Sequence, residues 1–198
     1  MIKKSVDFQR KMKEKIKLYS HEEYLDGYVK NEFLTKDGDA DIFLKIENKD
    51  ESFDTWTMHD QIDLENDVYS YIEEKTSMLD NDIQINLHIV GGNLSTHEKD
   101  TIKHILKEHY AIELYKVQRK YNNIKKKIFG LIITGLLSLL GYGLLYLYTD
   151  FNFFMEVFGF LFSFSLWEGF DAYIYSFNEV KLEREAVTQN LLMIVDFE

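Results

Sequence analysis

Hydrophobic and polar positions change rhythm several times along this chain. From Ile83 to Ile89 they alternate without a break, with Ile83, Ile85, Leu87 and Ile89 set against Gln84, Asn86 and His88. A period of two puts each set on its own face, so the segment is expected to be a strand with one buried face. Asp41–Ile46 (DIFLKI) reads as a second strand, and Ser52–Met58 (SFDTWTM) as its partner across an Asn48-Lys49-Asp50 turn. Between these strands the period lengthens. Leu64, Val68, Tyr71 and Ile72 share one face of a helix expected over Leu64–Met78, with Asp63 placed to cap it. Gly91-Gly92-Asn93 turns the chain, and Ser95 with Glu98 forms a capping box for the next helix. Leu191–Phe197 (LLMIVDF) is strand-like again and suited to join the same sheet.

The longest pattern starts at Tyr110. Apolar residues follow at 114, 117, 121, 124 and 128, in steps of four and three. Such a seam predicts a stalk helix that packs along a partner. The partner is either the helix near Val180, Val187 and Leu191 or the same stalk of a second subunit. The stalk runs into Ile128–Tyr148 (IFGLIITGLLSLLGYGLLYLY), where no residue is charged. Those residues suffice to cross a hydrocarbon layer of about 30 Å at about 1.5 Å per residue. A soluble core helix is rarely apolar on every side. Thr149-Asp150 then separates this run from a second, FNFFMEVFGFLFSFSLWEGFDAYIYSF, so the two are expected to form a tight antiparallel hairpin. Gly130, Thr134 and Ser138 on the first helix, and Gly159 and Ser163 on the second, recur at spacings that let helix backbones approach, within the hairpin or between two chains.

Charge sets the orientation. The net charge of −11 is divided unevenly: residues 1–20 and 116–128 are basic, whereas 21–115 and 129–198 are acidic. An acidic body between basic collars is a poor match for nucleic acid and a good one for an anionic bilayer surface. Lys116, Arg119, Lys120, Lys125, Lys126 and Lys127 precede the first apolar helix, Lys181 and Arg184 follow the second, and the turn has no basic residue. The positive-inside rule then puts both termini in the cytoplasm of a two-pass cell-membrane protein. The first twenty residues lack the apolar core of a secretory signal. They read instead as a basic amphipathic helix, either packed on the body or laid on the membrane surface. There is no Cys and no Pro, which excludes disulfides, thiol chemistry and proline kinks.

The expected fold is therefore an α+β cytoplasmic domain with an inserted two-helix transmembrane hairpin. Its parts are the basic helix (1–20), the α+β domain (21–110), the stalk (111–127), two membrane helices (128–148 and 151–177) and a returning helix and strand (178–198).

Little in the chain points to catalysis. Phosphate loops, dinucleotide fingerprints and nucleophile elbows are missing from the sequence. His97-Glu98-Lys99-Asp100-Thr101 lacks the second His of a zincin, and His97, His104 and His109 find no ligand set in the sequence. His88 is expected to be exposed on its strand. Asp37-Gly38-Asp39-Ala40-Asp41 starts like a calcium loop, but Ile42 and Asn48 stand where Gly and Glu are needed. The expectation is a non-enzymatic protein with no metal and no cofactor.

One stretch resists a purely apolar reading. In Ser165-Leu166-Trp167-Glu168-Gly169-Phe170-Asp171, two carboxylates sit at the end of the second membrane run. If that helix mirrors the first from Phe151, Asp171 lies level with Ile128 and Glu168 about 4.5 Å deeper. Trp167, Tyr173 and Tyr175 fall where an aromatic belt belongs. Under one reading Asp171 pairs with the Lys125, Lys126 and Lys127 collar and Glu168 bonds across the hairpin toward Thr134. Under the other, Glu168, Asp171 and Tyr175 fall in an arc of about 60° at about 100° per residue. They would then line a polar path in an oligomer or bind a partner.

A cytoplasmic α+β domain, a basic stalk, a two-helix hairpin and the motif Trp167-Glu168-x-x-Asp171 together resemble a group of bacterial two-pass membrane proteins that share the Trp-Glu-x-x-Asp signature. The resemblance spans about residues 60–197. It implies a bacterial source and carries no activity. The functional expectation is a membrane-anchored sensor or scaffold that associates with itself and with a protein partner of its cytoplasmic domain. Its rival is a small oligomeric pore lined by the carboxylates.

Overall fold

The computed structural model describes Lys15 and residues 32–46, 63–91, 94–148 and 152–198. The basic helix over 1–20 (Lys15 apart), the strand over Ser52–Met58 and the Thr149-Asp150 turn lie outside the described residues. The described chain is mostly helical. Its order is β1 (Ala40–Lys45), α1 (Asn66–Thr76), β2 (Ile85–Val90), α2 (Thr96–Tyr148), α3 (Asn152–Asp171), a π-helical turn (Ala172–Phe177), α4 (Asn178–Leu191) and β3 (Ile194–Phe197). It divides into two compact units. One holds residues up to Lys107 together with Gln189–Glu198, and the other holds Glu108–Thr188. The second is thus an insertion in the first, bounded within a few residues of 111 at its start and closing later than 177.

The first unit is built on a small sheet of order β1-β2-β3. Both pairings are parallel, with Ile42 opposite Leu87 and Leu87 opposite Val195. Parallel neighbours need a crossover, and the intervening helices supply it. The alternation in β2 works as expected: Ile85, Leu87 and Ile89 are essentially inaccessible. Ile42, Tyr69, Ile72, Ile102 and Leu106 are among the residues buried with them, drawn from β1, α1 and the first turns of α2. Gly91 ends β2 at φ 93°, a conformation that favours glycine, and a Cβ there would meet the Ile46 carbonyl oxygen at 2.7 Å.

Local signals fare unevenly. The capping box of α2 forms: Ser95 N donates to Glu98 Oε2 at 2.8 Å, and Glu98 N donates to Ser95 Oγ at 3.3 Å. Asp63 does not cap α1, because Glu65 holds the N-cap position and makes no side-chain cap bond. Asp63 instead accepts from the Leu64 amide at 2.8 Å and from the Tyr69 hydroxyl. Tyr69 is buried, whereas Val68 is only half-buried.

The returning strand is held by amides. Gln189, almost fully buried, donates from Nε2 to the carbonyls of Asp80 and Ile83, each at 2.8 Å. Gln84 Nε2 donates to Leu192 O at 3.1 Å. The loop before β2 thus finds its hydrogen-bond partners on the segment before β3. Gln189→Ala removes both bonds from this buried amide to part-buried carbonyls, with an expected cost of about 2 kcal/mol. The change should appear as a lower unfolding midpoint of the full chain and faster amide exchange over Leu79–Ile85.

Candidate functional site

The second unit explains how the carboxylates of the Trp-Glu-x-x-Asp stretch are placed. Along α2 the seam of Tyr110, Leu114, Val117, Tyr121, Ile124 and Ile128 faces inward, buried or half-buried. It does not stop at Ile128. Leu131, Gly135, Ser138 and Leu145 continue it, while Phe129, Ile133, Leu137 and Leu140 between them are exposed. Its partner is the chain's own return helix, the first of the two alternatives open in the sequence. Val117, Tyr121 and Val180 form one buried cluster, with Ile124, Phe177 and Val187 packed against it.

Small residues set the spacing of α2 and α3. A Cβ on Gly135 would touch Ser165 Cβ at 3.5 Å, and one on Gly169 would touch Leu131 Cβ at 3.8 Å. At Gly141 it would come within 2.6 Å of the Phe158 ring. The small residues singled out in the sequence mostly lie elsewhere. Gly130 faces open space, and Thr134 and Ser163 are exposed, each bonding back to a carbonyl one turn earlier on its own helix. Only Ser138 and Gly159 belong to the packed side.

The return arm has to change phase to stay on this seam. Ser165 and Ala172 are buried seven residues apart. An unbroken heptad would next bury Glu179, but Glu179 is exposed and Val180 is buried. The π-helical turn over Ala172–Phe177 inserts the extra residue. Val187, one heptad beyond Val180, then packs on the same cluster.

The predicted site residues sit around this phase change, and they do not form one group. Glu168 Oε1 accepts from Lys127 Nζ at 2.6 Å, and the Glu168 side chain is half-buried. The pairing of Asp171 with the Lys collar and of Glu168 with Thr134 is therefore replaced by a Lys127–Glu168 pair. Asp171 is exposed and makes no ion pair among the described residues. Trp167 and Tyr175 are exposed by 74% and 68%. The even step of about 100° on which the shared arc of Glu168, Asp171 and Tyr175 rests fails at the π turn, which lies between the second and third of them. In the collar, Lys125 Nζ lies over the Tyr121 ring, 4.7 Å from its centroid. Lys126 is exposed. Further along, Lys120 donates to Glu183 at 2.9 Å. That hydrogen bond, reinforced by the Glu183 charge, holds Lys120 above its ordinary 10.5.

A second polar group, on the sheet, was not foreseen. His88 is not simply exposed: its ring stacks on Phe43 at 4.9 Å. Its Nε2 and Nδ1 lie 3.4 Å from Asp41 and from Glu198, respectively, with the side chain 19% accessible. The acidic Asp37–Asp41 stretch is a tight turn that runs into β1 at Ala40, with Gly38 at φ 92° and Thr35 N donating to Asp39 O at 2.8 Å. No cluster of three or more potential metal ligands occurs among the described residues. No family model, curated protein or solved structure matches the chain.

Two outcomes follow from this geometry. Gly141→Ala presses on Phe158 and is expected to cost about 1–3 kcal/mol of helix pairing, and Phe158→Ala in the same chain should recover most of it. Denaturation in mixed detergent micelles reads both. For the exposed Lys120–Glu183 pair, the raised Lys120 value means its stabilisation is present below pH 10.5 and is lost as pH rises through the folded value. The difference in unfolding midpoint between the wild type and Lys120→Gln should therefore hold steady from neutral pH to the lysine's range and vanish above it.

Proposed function

We propose that this protein is a non-enzymatic, membrane-anchored sensor or scaffold: an α+β unit on the cytoplasmic face of a bacterial cell membrane, held by a two-pass helical hairpin. One observation carries the reading. The apolar stretches of the two long helices are only 11% and 6% buried within the protein. A core helix hides its apolar side chains, whereas Phe129, Leu136, Leu140, Phe153, Phe160 and Phe164 present theirs outward. Exposed apolar surface of this extent calls for lipid or another apolar partner. Continuous helices on both arms also satisfy their own backbone polar groups, as a bilayer requires.

The collar supports the orientation. Lys116, Arg119, Lys120, Lys125, Lys126 and Lys127 on α2, with Lys181 and Arg184 on α4, lie on the sheet side of the apolar stretches in sequence. That distribution favours both termini in the cytoplasm. Trp167, Tyr173 and Tyr175 then stand at the inner interface, and the Lys127–Glu168 pair anchors the helix there, with each charge neutralising the other. The acidic sheet unit, with His88 between Asp41 and Glu198, is the surface offered to a protein partner. The pore reading loses support from the same pairing, because Glu168 no longer stands as an unneutralised acid.

Two measurements test this. Purified protein in liposomes should pass no more ions than empty vesicles, and a flux abolished by Glu168→Gln would replace the scaffold reading with the pore. Lys127→Met and Glu168→Gln should each reduce membrane-inserted protein more than the double variant does. The expected coupling is about 1 kcal/mol in double-mutant unfolding.

A further inference from the structure

The hairpin carries a groove of about 320 Å³, open on one side, with walls that include Ile128, Ile132, Gly135, Phe162, Gly169 and Tyr173. Gly135 and Gly169 line it without contributing a side chain. Its walls are almost wholly apolar, and neither Glu168 nor Asp171 is among them.

What distinguishes this groove is the row of aromatic rings that continues from one end to the buried Tyr121. Tyr173, a wall residue, stacks on Phe177 at 5.7 Å, and Phe177 stacks on Tyr121 at 5.0 Å. The Tyr121 ring carries two cations: Lys125 Nζ at 4.7 Å and the Arg184 guanidinium at 4.3 Å from its centroid. Neither cation has a carboxylate partner among the described residues, although Lys120, Lys127 and Lys181 nearby each have one. Two cations held on an aromatic ring without a counter-anion make a place for a negative group. Lys125 precedes the wall residue Ile128 by one turn of α2, about 4.5 Å along the axis. Apolar groove, aromatic ladder and the two cations on Tyr121 therefore follow one another in the order of acyl chain, glycerol and phosphate.

We infer that this side of the hairpin is a binding site for one anionic membrane phospholipid, with an acyl chain in the groove and its phosphate on Lys125 and Arg184. The inference rests on the membrane reading above. Charge complementarity selects the occupant: a second copy of the same apolar helices would leave the two cations unanswered, and a neutral lipid would bring no net charge to them. The Lys127–Glu168 pair stays out of the site and keeps the neighbouring acid from repelling the headgroup.

The test is native mass spectrometry of the full-length protein in detergent, titrated with phosphatidylglycerol or with phosphatidylcholine of the same acyl chains. The wild type should retain one phosphatidylglycerol and shed phosphatidylcholine. Lys125→Gln with Arg184→Gln should weaken phosphatidylglycerol binding about twenty-fivefold, at about fivefold per cation, while Lys125→Arg with Arg184→Lys keeps it. Ile132→Trp, which fills the groove from an exposed wall with both cations in place, should evict the lipid. Equal retention of the two lipids, or affinity unchanged in the Gln pair, overturns the inference. So does a lipid-free dimer that Ile132→Trp splits. Resistance to alkaline carbonate extraction is scored on the same variants. A chain that washes out of membranes contradicts the anchoring itself, whereas an inserted chain without lipid preference contradicts only this site.

Discussion

Between Val90 and Ile194 the chain leaves the sheet, and it comes back as the parallel neighbour of β2. Closing so long an excursion is tolerable because the cost of loop closure grows slowly with length, but the excursion must also hold itself together. A single helix–helix seam does this. It runs down α2 from Tyr110 to Leu145 and returns along α3, the π turn and α4. Large residues fill it in the stalk (Val117, Tyr121 and Val180), and small ones fill it in the apolar stretch (Gly135, Ser138, Ser165 and Ala172). In water, burial of the large side chains stabilises the pairing. Among apolar helices in lipid that gain is missing, and close backbone approach takes its place. On the membrane reading proposed above, one seam thus changes its chemistry where its surroundings change.

The seam also constrains where charge can sit. Its buried positions hold no carboxylate and no lysine among the described residues. Charges are pushed to its flanks, where Lys120–Glu183 and Lys127–Glu168 bridge the two arms. Such exposed pairs contribute little to stability in water. At a membrane boundary the Glu168 pair gains importance, since the alternative is a bare charge near lipid. Glu168 and Asp171 both precede the π turn on one regular helix, and it is their different azimuth around that helix that leaves Glu168 to meet Lys127.

How much was legible in the chain depended on the range of the interaction. β2 was readable because strict alternation from Ile83 to Ile89 has no helical counterpart, and the α2 capping box because Ser95 and Glu98 are local partners. The stalk seam was readable from its steps of four and three. Its continuation was not, because Gly135 and Ser138 carry no hydrophobic signal and announce themselves only through what they let approach. The phase change was present in the sequence. Ser165 and Ala172 are in one heptad register, and Val180 and Val187 are in the next, offset by one residue. Reading that offset as a π turn required knowing that both sets face the same partner. The Lys127–Glu168 pair was missed for a related reason: a level drawn by counting residues assigns depth, whereas the side chain's azimuth around the helix decides its partner. The surroundings of His88 were not legible because Asp41 comes from β1 and Glu198 follows β3, and only the parallel register brings them together.

The central claim is that the hairpin crosses a membrane and leaves the sheet unit on the cytoplasmic side. The chain has no Cys, so a single introduced thiol reports position without background. Asp150→Cys, between the two apolar helices in sequence, and Asp82→Cys, in the exposed loop before β2, would be treated in intact spheroplasts with a membrane-impermeant maleimide. The account predicts that position 150 reacts at once and position 82 only after the membrane is opened. Reaction of both positions in intact spheroplasts, or of position 82 alone, would contradict it.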